Sequence, residues 1–111
     1  MLNQVVIVGR VKELPQAKET SSGVKLAEML VEVDRNFKNA LGQFETDLIQ
    51  CTLWRGLAES AIEQCEVNGL IGIKGRLQGK HFESKEGSPI YYSELIVEKI
   101  SFLNTNDVKT V

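Results

Sequence analysis

The sequence predicts a small all-β barrel of five strands with one short helix. A length of 111 residues suits one compact domain, several segments alternate between apolar and polar residues with a period of two, and turn-forming residues separate these segments. We place the domain at residues 1–103 and a flexible C-terminal end at residues 104–111. No stretch resembles a membrane span or a signal peptide, so we expect a cytoplasmic protein without a membrane partner.

The first two strands are predicted from β-branched residues and from alternation. Residues 3–12 (NQVVIVGRVK) are rich in Val and Ile, and residues 13–23 (ELPQAKETSSG) have the composition of a turn. Residues 25–34 (KLAEMLVEVD) alternate and are predicted as the second strand. A helix is the alternative for this segment, because its residues also have good helix propensity.

The middle of the chain combines a loop, a strand and the helix. Residues 35–47 (RNFKNALGQFETD) are polar and predict a long loop. Residues 47–55 (DLIQCTLWR) alternate as the third strand, and we expect its side with Gln50 and Thr52 to be the wetter one. Gly56 to Val67 has apolar residues at spacings of three and four and a glycine just past its end, which predicts a helix.

The last two strands are predicted at Leu70 to Phe82 and at Ile90 to Leu103, joined by the loop ESKEGSP. The terminal NTNDVKTV has no periodicity and is expected to fray. Five strands with a helix between the third and fourth is the element order of an OB-fold. That barrel uses one outer face and its loops to hold oligonucleotides or oligosaccharides.

The sequence offers little for catalysis or metal binding. It contains none of the phosphate-loop, zinc-protease, serine-hydrolase or deaminase motifs, and its one histidine, His81, has no evident nucleophile to activate. We therefore expect no enzyme. Cys51 and Cys65 cannot complete a zinc site with that histidine, so no metal or other cofactor is expected. Reduced, packed thiols are predicted, and a disulfide is the alternative that a cytoplasmic location disfavours.

One predicted strand carries a cationic stripe. In KGRLQGKHF, the period of two places five side chains on one face: Lys74, Arg76, Gln78, Lys80 and Phe82. A net charge of −2 excludes binding of nucleic acid through bulk basicity, so local clustering matters. The stripe is either a solvated strand face or a track for a polyanion. Pairing with Glu28 or Glu32 across the sheet would weaken such a track.

Three aromatic rings stand next to cations in the sequence. Phe37 lies between Arg35 and Lys38, Trp54 precedes Arg55, and Phe82 ends the stripe. Unpaired bases stack on flat side chains while nearby cations follow the phosphates. Each ring alone could equally be a core residue. Their shared basic context favours binding of single-stranded nucleic acid.

Several segments also resemble a known family in their order and spacing. They are MLNQVVIVGRV, SSGVKLAEMLVEVDRNF, TDLIQCTLWRGLAE, GLIGIKGRLQGKHFESKEG and YYSELIVEKISFL, and from Met1 to about Leu103 the chain is similar to bacterial single-stranded DNA-binding proteins, SSB. The resemblance implies an OB-fold homotetramer that coats single-stranded DNA without strong sequence preference during replication, recombination and repair, in association with the nucleoid.

The same resemblance assigns roles to individual residues. It implies base stacking by Phe37, Trp54 and Phe82, and it places Leu48 at a fourth position that is usually aromatic. It also implies contacts to the DNA backbone from seven basic residues: Arg10, Lys12, Arg35, Arg55, Lys74, Arg76 and Lys80. No catalytic residue and no metal ligand is implied.

The end of the sequence departs from that family pattern. SSB proteins usually continue into a flexible tail with an acidic tip that recruits replication and repair proteins, whereas this sequence ends at DVKTV. We expect either a shortened chain or a tail-less relative, as the related primosomal replication protein is. The alternative function is therefore an SSB-like interaction module of a replication or primosome complex, in which the acidic second strand serves a protein partner and DNA binding is weak.

Overall fold

The computed structural model describes residues 1–103, which form a closed five-stranded barrel. The elements in chain order are β1 (Val5–Glu19), β2 (Lys25–Lys38), β3 (Phe44–Trp54), α1 (Gly56–Gln64), β4 (Leu70–Glu83) and β5 (Pro89–Leu103). Neighbouring strands follow the order β1-β2-β3-β5-β4, and β4 pairs with β1 to close the barrel. The predicted five-strand order with the helix after β3 is confirmed. The predicted flexible end, residues 104–111, lies outside the described residues.

The first strand is longer than the sequence predicted. Residues 13–19 were predicted to form a turn, but they continue β1, with Ala17 opposite Ala27 and Glu19 opposite Lys25. Two register shifts, on either side of Glu13, interrupt the pairing near the proline of this segment. Proline has no amide hydrogen to donate to the neighbouring strand, and a bulge is a place where no such hydrogen bond is required. The turn itself is short: the Thr20 amide donates to the carbonyl of Val24 at 2.9 Å.

The predicted long loop at residues 35–47 is also mostly strand. β2 continues to Lys38 and β3 starts at Phe44, so the two strands form a hairpin, the β2–β3 arm, which we define as residues 34–47. Its turn is closed by the Asn39 amide donating to the carbonyl of Gln43 at 2.7 Å. Gly42 adopts a φ of 76°, which favours glycine. The residues of the arm are largely exposed on both sides, so a polar composition suits this strand pair as well as it suits a loop.

The helix α1 begins at Gly56 as predicted but ends at Gln64 instead of Val67. The amide of Cys65 donates to the carbonyl of Ala61 at 2.9 Å, and the chain then turns to an extended conformation. Ala58 and Ala61 are the buried residues of the helix, and their small side chains let it lie close to the barrel core. With 9 residues, this helix of the described chain is too short to cross a membrane.

The interior of the barrel is filled by the alternate residues of each strand. The buried apolar side chains that the strands contribute to this interior are Val11, Ala27, Met29, Val31, Cys51, Leu53, Ile71, Ile73, Leu95 and Val97. Ile96 is also buried, but it lies on the opposite side of β5, where it pairs with Thr52 and Arg76 in the strand registers. Burial raises the pKa of the Cys51 thiol to about 12 and that of the half-buried Cys65 thiol to about 11. Both cysteines are free, as predicted, and neither is a thiolate near neutral pH.

Gly75 of β4 occupies a place in this interior that admits no side chain. A Cβ atom there would overlap the backbone carbonyl oxygen of Ile96 and lie 2.8 Å from the side chain of Leu95. We expect Gly75→Ala to lower the free energy of unfolding by about 2 kcal/mol or more, because overpacking forces the backbone of β5 to move. Urea denaturation followed by circular dichroism measures this loss.

The same strand provides the control for that substitution. A Cβ atom on Gly79 would have no heavy atom within 4 Å outside its chain neighbours. Gly79→Ala should therefore change the free energy of unfolding by no more than about 0.5 kcal/mol. Equal stability of the two variants would contradict the close approach of β4 and β5 at Gly75.

Candidate nucleic-acid interface

The strand registers bring one side of β3 and one side of the β4–β5 hairpin onto a common exterior surface. Residues directly opposite each other in paired strands point to the same side of a sheet. We call this surface the outer face and define it by three sets of residues: Leu48, Gln50, Thr52 and Trp54 of β3; Lys74, Arg76, Gln78, Lys80 and Phe82 of β4; and Tyr92 and Glu94 of β5. The hydroxyl of Thr52 donates to the carboxylate of Glu94 at 2.9 Å, which joins the two parts.

The three predicted stacking rings are all accessible. Phe37 is 65% exposed, Phe82 is 51% exposed and Trp54 is 38% exposed. None of them is a core residue, so the alternative that sequence reasoning left open for each ring is wrong. A base can therefore approach at least part of each ring.

The rings are not all in one cluster. Trp54 and Phe82 share the outer face but lie at different ends of it, because Trp54 is two residues beyond the Thr52–Ile96 pair and Phe82 is opposite Ile90. Phe37 lies on the β2–β3 arm, one residue before the Lys38–Phe44 pair. Phe44 and Trp54 are the two ends of β3, and at about 3.3 Å per residue they lie about 30 Å apart. A strand that contacts all three rings must therefore run along much of the barrel and out onto the arm.

The cationic stripe is an exposed strand face, as predicted. Lys74, Arg76 and Lys80 are exposed, and the guanidinium of Arg76 donates to the side-chain oxygen of Gln78 at 2.9 Å. Lys80 is held by Glu94, whose carboxylate lies 2.9 Å from the ammonium group. The hydrogen bond with Glu94 is the main cause that raises the pKa of Lys80. The acidic partner of the stripe is thus on β5.

Thr52 departs from its prediction. We expected the side of β3 with Gln50 and Thr52 to be wet, and Gln50 is exposed, but Thr52 is buried. The parallel pairing of Thr52 with Ile96 brings β5 against this end of β3, and the carboxylate of Glu94 then covers the threonine hydroxyl. Burial of Glu94 is tolerated because both of its oxygens have partners, Thr52 and Lys80.

Glu28 and Glu32 form no ion pair with the stripe, although the charge of Glu28 is a minor cause that raises the pKa of Lys80. Glu28 pairs with Lys18 of β1 and also accepts a hydrogen bond from Gln50. Glu32 lies 2.9 Å from the guanidinium of Arg10, also on β1. The acids of β2 are therefore matched with cations of the neighbouring strand.

Of the seven basic residues predicted to contact the DNA backbone, four form ion pairs with carboxylates of the protein. Arg10 contacts Asp34 at 2.7 Å as well as Glu32, and these hydrogen bonds raise the arginine pKa and lower that of Asp34. Lys12 lies 4.0 Å from Glu32. On the arm, the guanidinium of Arg35 contacts Asp47 at 2.8 Å and Glu45 at 2.6 Å. Lys80 is the fourth, through Glu94.

The other three predicted cations are Lys74, Arg76 and Arg55. They make no ion pair with any carboxylate of residues 1–103. Arg55 is exposed and stands between Trp54 and the helix with a φ of 55°, a left-handed backbone conformation uncommon for arginine. That turn lets the chain leave the strand directly after the Trp54 ring.

Sequence reasoning assigned no role to Tyr92 and Glu94 of the outer face or to Phe44 of the β2–β3 arm. Tyr92 contacts Phe82 with ring centroids 5.9 Å apart, and the ammonium of Lys38 lies 5.6 Å from the ring centroid of Phe44 on the arm. Glu94 sits beneath Lys80. The signal for Tyr92 was present, because two adjacent tyrosines in a strand must place one ring on each face.

Comparisons with known proteins agree with this geometry. The model of the Single-strand binding protein family matches residues 2–103. The chain is 38% identical over 104 residues to the single-stranded DNA-binding protein B of Bacillus subtilis (strain 168), covering 94% of this chain and 92% of that protein. It is 37% identical over 105 residues to the single-stranded DNA-binding protein 3 of Listeria innocua, covering 95% of this chain and 66% of that one.

A solved structure is similar in fold. The Plasmodium falciparum SSB in complex with ssDNA superposes with a TM-score of 0.81, covering 94% of this chain and 96% of that chain at 17% identity. At that identity the likeness concerns the barrel and its strand order, and it confirms the predicted OB-fold.

Proposed function

The chain belongs to the single-strand binding protein family, and on that basis we propose that it binds single-stranded DNA without strong sequence preference. It does so in replication, recombination and repair, in the cytoplasm and in association with the nucleoid. Bases stack on Phe37, Trp54 and Phe82. Phosphates are contacted by the three predicted cations that make no ion pair in the described chain, Arg55, Lys74 and Arg76, whereas the other four predicted cations remain paired with carboxylates. The role is one of binding, without catalysis or a cofactor.

The observation that carries this proposal is the exposure of Trp54 and Phe82 on one face with cations beside them. A stacked base contributes about 1–3 kcal/mol, and every base offers such a surface whatever its identity. Because the chain has a net charge of −2, stacking must supply much of the affinity. That balance accounts for binding that tolerates any sequence.

The function is tested by titrating the protein with oligo-dT and following the fluorescence of Trp54, the one tryptophan of the chain. We expect quenching as a base stacks on the indole. The logarithm of the binding constant should fall with the logarithm of salt concentration at a slope of about −2 per chain, as three unpaired cations predict for a single strand. If all seven predicted cations neutralised phosphates, the slope would be about −5 instead.

Two results would count against the proposal. Unchanged fluorescence together with no binding of a labelled oligo-dT at low salt would exclude it. Binding with a slope near −5 would keep the function but contradict the inference that Arg10, Lys12, Arg35 and Lys80 remain paired with carboxylates.

We also propose that the chain forms a homotetramer, as the family resemblance implies. Val6 and Val8 of β1 support association, since their side chains are exposed on the barrel exterior although they are apolar. Light scattering at micromolar concentration measures the mass of the assembly. We expect the mass of four chains, and a mass of one or two chains would contradict this part of the proposal.

The alternative role, an interaction module in a replication or primosome complex with weak DNA binding, has no specific support in the geometry. It depends on free carboxylates along β2. Glu28, Glu32 and Asp34 are instead paired with Lys18 and Arg10.

A further inference from the structure

The β4–β5 hairpin carries two adjacent tyrosines that lie on opposite faces. Tyr92 is opposite Lys80 in the strand register and therefore belongs to the outer face, together with Phe82. Tyr91 is opposite His81, and those two rings pair on the reverse face with centroids 6.0 Å apart. The two tyrosines differ in surroundings but belong to the same strand, and both are exposed, Tyr91 to 76% and Tyr92 to 46%.

Tyr92 and Phe82 form a defined pair. Their ring centroids are 5.9 Å apart and their planes make an angle of 64°, an edge-to-face arrangement. The pair does not bury either ring, since Tyr92 remains 46% exposed and Phe82 remains 51% exposed. Each ring therefore keeps surface that a base can cover.

A cation is fixed beside these rings. Lys80 is the cross-strand neighbour of Tyr92 and precedes Phe82 by two residues on the same side of β4. Its ammonium group is held 2.9 Å from the buried carboxylate of Glu94, so its position is restrained. Two exposed flat rings supply stacking surfaces for neighbouring nucleotides, and the Lys80–Glu94 ion pair fixes the lysine beside them.

We propose that Tyr92 is a fourth base-stacking residue, which with Phe82 forms a two-ring site for two consecutive bases of single-stranded DNA. This inference rests on the proposed function and adds a contact to it. The angle of 64° has a consequence for the DNA. Rings so inclined cannot sandwich one base between them, and two bases that each lie flat on one ring cannot remain stacked on each other. The strand must bend at this site.

The competing explanation is that Tyr92 only supports Phe82. Cross-strand aromatic pairs stabilise hairpins, and loss of such a partner would let the Phe82 ring move. The two explanations differ in a variant that lacks the Phe82 ring, because a supporting residue has nothing left to support there.

The test compares Tyr92→Leu with the matched control Tyr91→Leu, both measured with a labelled oligo-dT. We expect the Tyr92 substitution to weaken binding at least about fivefold, the loss of one stacked base, and the Tyr91 substitution to change it less than about twofold. Tyr92→Phe keeps the ring and should bind within about twofold of the wild type. If Tyr92→Leu does not fold, Tyr92→Ile, with its higher strand propensity, takes its place.

The same comparison in the background of Phe82→Leu separates stacking from support. A further loss of at least about fivefold from Tyr92→Leu in that background supports direct stacking. No further loss would overturn the proposal, and so would an unchanged affinity of Tyr92→Leu in the wild-type background while the wild type binds. Failure of the wild type and of Tyr91→Leu to bind oligo-dT would overturn the proposed function itself, and this inference with it.

Discussion

Replacing Phe37, Trp54 and Phe82 together by Ala is expected to weaken binding of oligo-dT by about a hundredfold or more. Loss of one stacking ring reduces the binding free energy by about 1–3 kcal/mol. Even the lower limit, summed over three rings, corresponds to about a hundredfold in affinity. The rings are exposed, so the variant should fold like the wild type. Because Trp54 is absent from the variant, the measurement is fluorescence anisotropy of a labelled oligonucleotide, with circular dichroism to verify folding.

A matched control removes three other exposed side chains of the described chain. Leu41, Ile62 and Tyr91 are 82%, 46% and 76% exposed, and none of them belongs to the outer face. Their joint replacement by Ala should leave the affinity within about threefold of the wild type, since surface changes away from a site have small effects. A triple ring variant that binds as well as this control would contradict stacking as the source of affinity.

Replacing Leu53 by Ala is expected to lower the free energy of unfolding by about 3 kcal/mol or more. Leu53 is completely buried, opposite Ala27, and is among the largest buried side chains of the barrel. Its removal loses transfer free energy and leaves a cavity, which together cost about 2–5 kcal/mol in buried Leu to Ala changes. Urea denaturation measures the loss, and the Tm should fall by roughly 10 °C or more.

Leu48 provides the control on the same strand. It is 55% exposed on the outer face, so Leu48→Ala should change the free energy of unfolding by no more than about 0.5 kcal/mol. Similar losses in the two variants would mean that β3 is not oriented with Leu53 inside. Leu48→Ala should also leave oligo-dT affinity nearly unchanged, because a leucine offers no flat ring for a base.

The order of the elements was predictable from the sequence, but the lengths of the strands in the β1–β2 and β2–β3 hairpins were not. Alternation and turn residues located all five strands and the start of the helix. The predictions were wrong for residues 13–19, which are strand, and for most of residues 35–47, because only residues 39–43 form a turn there. In both segments the ladder hydrogen bonds continue although one or both faces are exposed to water, so no apolar side remains to produce a period of two.

The part of the candidate site that lies along a single strand was predictable from the sequence. The period of two correctly placed Lys74, Arg76, Lys80 and Phe82 on an exposed face. Contacts between distant strands were not predictable, because they depend on register and on barrel closure. The burial of Thr52 beneath Glu94 is of that kind. The contact of Tyr92 with Phe82 depends instead on the register of the β4–β5 hairpin.

The ion pairs of Arg10 and Arg35 bear on the choice between single strands and duplex DNA. A duplex presents a dense row of phosphates but hides its base faces, so it attracts a protein mainly through cations. Here Glu32, Asp34 and Asp47 already hold the two arginines, and phosphates would have to compete with them. An unpaired strand still gains the stacking contacts, which a duplex cannot make. The carboxylates therefore increase selectivity by weakening the one attraction that both forms of DNA share.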